Sequence, residues 1–165
     1  MDHDVVASQI RAALKMLRST VEACPEALWD READHNAFWV LAYHTLYFAH
    51  LYLSSSEEAF VPFEREVDGR SGYGKTDLGD WTELVPGDTY AKEDVLAYCD
   101  HIDGIVLGLV QSTPFDGPSG FHWLPFSRGE AHLYNLRHIQ HHAGQLAERL
   151  RQNADVGTKW AFSVR

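Results

Sequence analysis

His138 and His142 stand four residues apart, the spacing in this sequence best suited to chemistry. On a helix that spacing puts both imidazoles on one face, one turn apart. Such a pair can hold one metal ion without bending the backbone, and a third ligand must then come from another helix. His44 is the candidate. It lies midway along a strongly apolar segment, among Leu41, Tyr47 and Phe48. A neutral imidazole buried there needs a partner, because an unpaired buried polar group costs about 1–3 kcal/mol. Metal coordination would meet that need. Three neutral histidines with open positions suit zinc, nickel or iron(II), and an open position is what catalysis requires. Plainer readings exist. A histidine pair at this spacing on a surface helix commonly does nothing, and a lone core histidine usually bonds to a backbone or hydroxyl group.

The chain holds ten histidines, so the rest need placing. His141 points away from the face of His138 and reads as solvent-facing or as a neighbour of the site. His50 lies six residues past His44, off its face, and reads as structural. His3, His35, His101, His122 and His132 have no partner spacing. Cys24 and Cys99 stand alone, with no Cys-x-x-Cys pair and no evident base, so neither reads as a nucleophile. They read as buried, reduced thiols, which suits the cytoplasm. Ser71 to Thr76 is superficially like a phosphate loop but lacks the strand and the glycine–lysine spacing. The aromatic run from Phe38 to Tyr52 reads first as core and interface packing.

The elements that must position these residues are helices. Val6, Ile10, Ala13, Leu14, Leu17 and Val21 follow the helical repeat, and Pro25 ends the segment. Asp34 is placed to cap a second helix running through Phe38, Leu41, His44, Tyr47, Phe48 and Leu51, closed by Ser54 to Ser56. That helix is apolar on nearly every side, as befits the middle of a bundle. From Glu57 to Thr89 glycine and proline break the pattern. A long loop is expected there, with a short helical turn near Glu57 to Glu64, covering one end of the bundle. A third stripe starts at Lys92 and includes Val95, Leu96, Cys99, Ile102, Val106, Leu109 and Val110. A loop over Pro114 to Gly120 follows. The last helix begins near Gly129, with Leu133, Leu136, Ile139, Leu146 and Leu150 facing the core. Asn153 to Arg165 reads as a tail that Trp160 and Phe162 could dock.

The expectation is an all-α four-helix bundle, one domain over residues 1–165, with a long loop between its second and third helices. At 165 residues with 45% hydrophobic content, the chain can build a full core without disulfides. Its net charge of -10 opposes binding to nucleic acid or anionic membranes. The most apolar stretch, Ala37 to Leu53, is too short and too polar to span a bilayer.

Two stretches carry a family resemblance. Phe38-Trp39-Val40-Leu41-Ala42-Tyr43-His44 and His138-x3-His142-Ala143-Gly144-Gln145 resemble the DinB-like, or YfiT-like, superfamily of metal-dependent enzymes. The resemblance implies His44, His138 and His142 as ligands, an up-up-down-down bundle and often a homodimer. The apolar breadth of the second helix also suits a dimer. Ala143 stands where many relatives carry Arg, which leaves the ligands intact and removes whatever that Arg does at the surface. Relatives include thiol S-transferases, a thiol-dependent isomerase and hydrolase-like proteins.

Two functional classes follow. In an enzyme, the ion activates a thiol or a water, giving a thiol S-transferase with a low-molecular-weight thiol or a hydrolase. Tyr47, three residues past His44, and Gln145, three past His142, are then spaced to brace the ligand rings. In a non-catalytic metal-binding or stress-response interaction module, the ion is structural and an aromatic surface meets a partner. An open pocket beside the ion favours the first, and a closed four-ligand site the second.

Overall fold

A computed structural model describes residues 2–34, 36–65 and 89–164. Its helices are α1 (His3–Ala23), α2 (Glu26–Trp29), α3 (Phe38–Leu53), α4 (Lys92–Gln111) and α5 (Arg128–Ala154). Among the described residues there is no strand, only an isolated bridge between Pro118 and Ser127.

Local chemistry explains most of the boundaries. The Asp2 carboxylate accepts from the amides of Asp4 and Val5, which caps α1. Cys24 turns extended because Pro25 follows it. Pro25 then opens the single turn α2, which the apolar repeat did not announce. Ser127 caps α5 by accepting from the Glu130 amide at 3.2 Å. Asp155 ends α5 in the left-handed region, at φ 54°.

Asp34 does not cap α3. Ala37 precedes that helix and gives no side-chain cap. The Asp34 carboxylate is held instead by Arg31 and Arg149, and Arg149 donates to the Asn36 carbonyl at 2.8 Å. Helix α5 thus secures the entry to α3. The turn expected near Glu57 is a hydrogen-bonded turn, closed by the Phe60 amide on the Glu57 carbonyl at 3.2 Å, and not a helix. The rest of that loop, 66–88, and the Ser71 to Thr76 stretch lie outside the described residues, as does His35.

Helix α3 is the centre of the molecule: 14 of its 16 residues are buried by this chain alone, so its broad apolar surface is already used. Around it the bundle closes as a ring in which α1 packs on α4 and α5, and α3 packs on α5 and α4. Direction follows from the cross-links. Gln111 bonds Asp4, while Lys92 reaches the Cys24 carbonyl, so α4 runs against α1. Arg149 bonds Asn36, while Arg128 bonds the Leu53 carbonyl, so α5 runs against α3. Trp29, just past α1, donates to the Tyr90 carbonyl just before α4 at 2.8 Å, and Tyr90 stacks on Tyr43 near the start of α3. Helices α3 and α4 therefore run the same way. The order is up, down, down, up, which corrects the up-up-down-down order.

Two further expectations change. Leu133 is 45% exposed and does not face the core, because α5 turns Ala131, His132 and Asn135 inward there. The tail is held by the Phe162 carbonyl, which accepts from Gln9 at 3.2 Å. Trp160 and Phe162 themselves are 66% and 84% exposed, so the aromatic rings do not dock it.

Candidate metal centre

His44 sits midway along α3, and His138 and His142 occupy successive turns of α5. Two polar pins fix how these helices face each other. Arg149 holds the Asn36 carbonyl at one end. Asn135, one turn before His138, donates to the Ala49 carbonyl at 2.9 Å on the other side of His44. Between the pins the three imidazoles converge.

The Nε2 atoms of His44 and His138 are 3.2 Å apart. Ring centroids lie 5.2 Å apart for His44 and His138, 5.0 Å for His44 and His142, and 4.7 Å for His138 and His142. One ligand nitrogen from each ring falls within 4.8 Å of the others, so the three can hold one ion. Two imidazole nitrogens on a tetrahedral zinc at about 2.0–2.1 Å sit about 3.3 Å apart, which the His44–His138 separation matches.

Electrostatics agree with a ligand role. Burial lowers His44 to about 2, helped by the other two histidines. Burial lowers His138 to about 3, with His142 and His141 adding to it. Burial also lowers His142, while its bond to Gln145 opposes the shift. All three rings are therefore neutral at pH 7 and carry a lone pair each. Gln145 Oε1 lies 2.8 Å from His142 Nδ1. As an acceptor it fixes the Nδ1–H tautomer and leaves Nε2 free for an ion. His138 Nδ1 is buried and finds no acceptor among the described residues.

The two expected bracing residues have these contacts. Gln145 is bonded to a ligand ring, whereas Tyr47 packs edge-on against Phe48 and Phe60 at 5.4 and 5.2 Å. His141 is exposed beside His142, ring to ring at 4.9 Å. His50 is structural: it is buried, meets the Tyr98 hydroxyl at 3.1 Å, and burial lowers it to about 4. His132 is fully buried under Phe115, away from the cluster. Both cysteines are free and buried, and burial raises Cys24 to about 11 and Cys99 to about 12, so neither forms a ready thiolate.

Reading the sequence missed the frame around the cluster. Phe48 lies against His44 at 4.8 Å and against His138 at 6.0 Å, and Tyr52 is edge-on to His138 at 6.3 Å. Tyr52 is edge-on to Tyr134 at 5.3 Å and shares an apolar cluster with Trp123, and burial pushes its hydroxyl pKa well above the usual phenol value. The loop bearing Trp123 is clamped to the end of α3 by buried Arg128, which donates to the carbonyls of Leu53, Ser54 and Ser119. Gly120 lets that loop approach: its φ is +91°, and a Cβ there would fall 1.9 Å from the Ser55 oxygen. Nothing in the spacing of Asn135 or Arg128 separates them from surface polar residues.

Two grooves lie away from the histidines. One of about 910 Å³ runs between α1, α4 and the tail, and none of the histidines lines it. No helix among the described residues is long and apolar enough to cross a membrane. Neither the curated proteins nor the solved structures compared with this chain gave a match. The family model described as the DinB superfamily matches residues 9–146, a span that takes in all three histidines. A helical bundle with its histidines converging between α3 and α5 is what that match leads one to find, and the chain belongs to the DinB superfamily.

Proposed function

We propose that this chain is a metal-dependent enzyme in which His44, His138 and His142 hold one divalent ion of zinc, nickel or iron. The observation that carries the reading is the convergence of three neutral imidazoles within 4.8 Å, drawn from two helices that are far apart in sequence. Bound there, the ion supplies Lewis acidity that lets a thiol or a water ionise near neutral pH. The rest falls to the chain. Burial keeps the three rings unprotonated, and Gln145 turns His142 Nε2 toward the cluster. Phe48 and Tyr52 exclude water from one flank, while the partial exposure of His138 and His142 leaves an approach from solvent. With a low-molecular-weight thiol as cosubstrate the activity is S-transfer to an electrophile, and with water it is hydrolysis. The cytoplasm, which keeps thiols reduced, suits both the cosubstrate and the two free cysteines.

The test is metal content of untagged protein beside His138→Ala. About one zinc, nickel or iron per chain, lost in the variant, supports the site and calls for thiol-transfer and hydrolysis assays. Wild type that takes up none of the three ions sinks the reading.

A further inference from the structure

The described arginines are nearly all satisfied. Arg11, Arg18, Arg31, Arg65, Arg149 and Arg151 each meet a carboxylate. Arg128 is buried and spends its donors on carbonyls. Arg137 alone among the described arginines is exposed and meets no carboxylate of the described residues. Acids are not scarce in a chain of net charge -10, so the missing partner is a matter of place.

The place is the turn of α5 that leads into His138. The Arg137 guanidinium lies over the Tyr134 ring, 5.7 Å from its centroid. Tyr134 stands one turn before His138 on the same face of α5. Its ring is edge-on to Tyr52 at 5.3 Å, and Tyr52 is in turn edge-on to His138 at 6.3 Å. Phe126 borders Tyr134 on its other side, 6.0 Å away. Arg137 itself starts about 100° around α5 from His138, and its guanidinium is brought over Tyr134, which shares the face of His138 and His142. A guanidinium resting on a ring keeps the donors of its planar edge available, and that fork matches a carboxylate in a bidentate way.

We infer that Arg137 is the anion-recognition residue of this site, and that the substrate is an organic carboxylate with an apolar or aromatic body. The carboxylate sits on Arg137, the body lies along Tyr134, and the reactive end reaches the histidines. The inference rests on the reading of those histidines as the metal centre of an enzyme.

The experiment is calorimetric titration of 3-phenylpropionate, its neutral amide and acetate into wild type, R137Q and R137K, each with and without zinc. In wild type the acid binds about tenfold tighter than the amide, the discrimination expected of a charge-assisted hydrogen-bond pair, and tighter than acetate. R137Q loses the preference for the acid and keeps the amide affinity and zinc uptake. R137K, which keeps the charge but not the fork, retains part of the preference. Equal binding of acid and amide by wild type overturns the inference. A preference that survives R137Q overturns it too, and one that also vanishes without zinc puts the carboxylate on the ion. A preference lost in R137Q, in protein that takes up none of zinc, nickel and iron(II), upholds Arg137 while sinking the metal reading alone.

Discussion

His44 and His138 bring their Nε2 atoms within 3.2 Å of each other across the α3–α5 seam, although they lie 94 residues apart in the chain. Both atoms are acceptors when both rings are metal ligands, and two facing lone pairs repel unless a cation lies between them. Without an ion, one ring can instead donate its N–H to the other, so the same pair of atoms serves as a hydrogen bond or, with a cation between them, as two ligands.

The first consequence concerns Gln145. Its Oε1 accepts from His142 Nδ1 at 2.8 Å. Gln145→Leu removes the group that sets the tautomer and should weaken zinc binding about 10–100-fold. Gln145→Glu keeps an acceptor and adds charge, so it should hold affinity at or above the wild-type level. Competition with a chromogenic chelator measures both, and circular dichroism unchanged from wild type confirms that the bundle is intact.

Asn135 is tested differently, because it touches no ligand. Its amide donates to the Ala49 carbonyl and so sets how far α5 slides along α3. Asn135→Ala should cost about 1 kcal/mol of stability, as for one ordinary hydrogen bond. It should also lower zinc affinity about tenfold by misplacing His138 relative to His44. Affinity unchanged in a measurably destabilised variant would show that the register is held by packing alone.

His132 gives the fold its acid sensitivity. It is fully buried, neither ring nitrogen has a hydrogen-bond partner among the described residues, and burial with nearby Arg128 and His3 lowers it to about 4. The unfolded chain, with an ordinary value near 6.5, binds the proton first as pH falls. The neutral native form is thus favoured in full above pH 6.5, and the advantage is lost as pH falls toward 4. Between pH 7.5 and pH 5 this one residue should cost about 2 kcal/mol. His132→Phe should remove that loss and flatten the acid limb of urea-unfolding free energies measured on metal-free protein.

Arg128 should be among the costliest residues to replace outside the apolar core. It is 1% exposed, and burial lowers the pKa of its guanidinium. Arg128→Met leaves the carbonyls of Leu53, Ser54 and Ser119 without their donor and should destabilise by about 3 kcal/mol or more. Thermal unfolding measures it. A variant within about 0.5 kcal/mol of wild type would mean that the loop over Ser119 to Phe126 holds to α3 without the clamp.

Much of this was legible before any coordinates. The apolar repeats located α1, α3, α4 and α5, and the i, i+4 histidines with one more in the most apolar segment marked the cluster. What the pattern could not carry was direction and exception. The apolar repeat is the same whichever way a helix runs, so the up, down, down, up order emerges only from cross-links such as Asn36–Arg149 and Asp4–Gln111. Asp34 looked like a cap because acids often are, yet neighbouring Arg31 and distant Arg149 claimed it. Leu133 looked like core because leucine usually is, but α5 spends that arc on Asn135 and His132. Trp160 and Phe162 looked like anchors, and the anchor proved to be a backbone carbonyl. Arg149 and Gln9 show how such misses arise, since each binds a segment far from it in sequence.

Because α3 and α4 run the same way, the chain leaving Leu53 must return the whole length of the bundle before Lys92. Helix α4 has 20 residues, so that return is roughly 30 Å, a gap that about ten extended residues can bridge. The stretch from Ser54 to Ala91 is several times longer than the task demands. Lengthening or shortening such a tether alters closure entropy only logarithmically. Insertions, deletions and wholesale rewriting can therefore accumulate in it while His44, His138 and His142 keep their places on α3 and α5. Descendants of one such chain can diverge in this connection without re-evolving the histidines themselves.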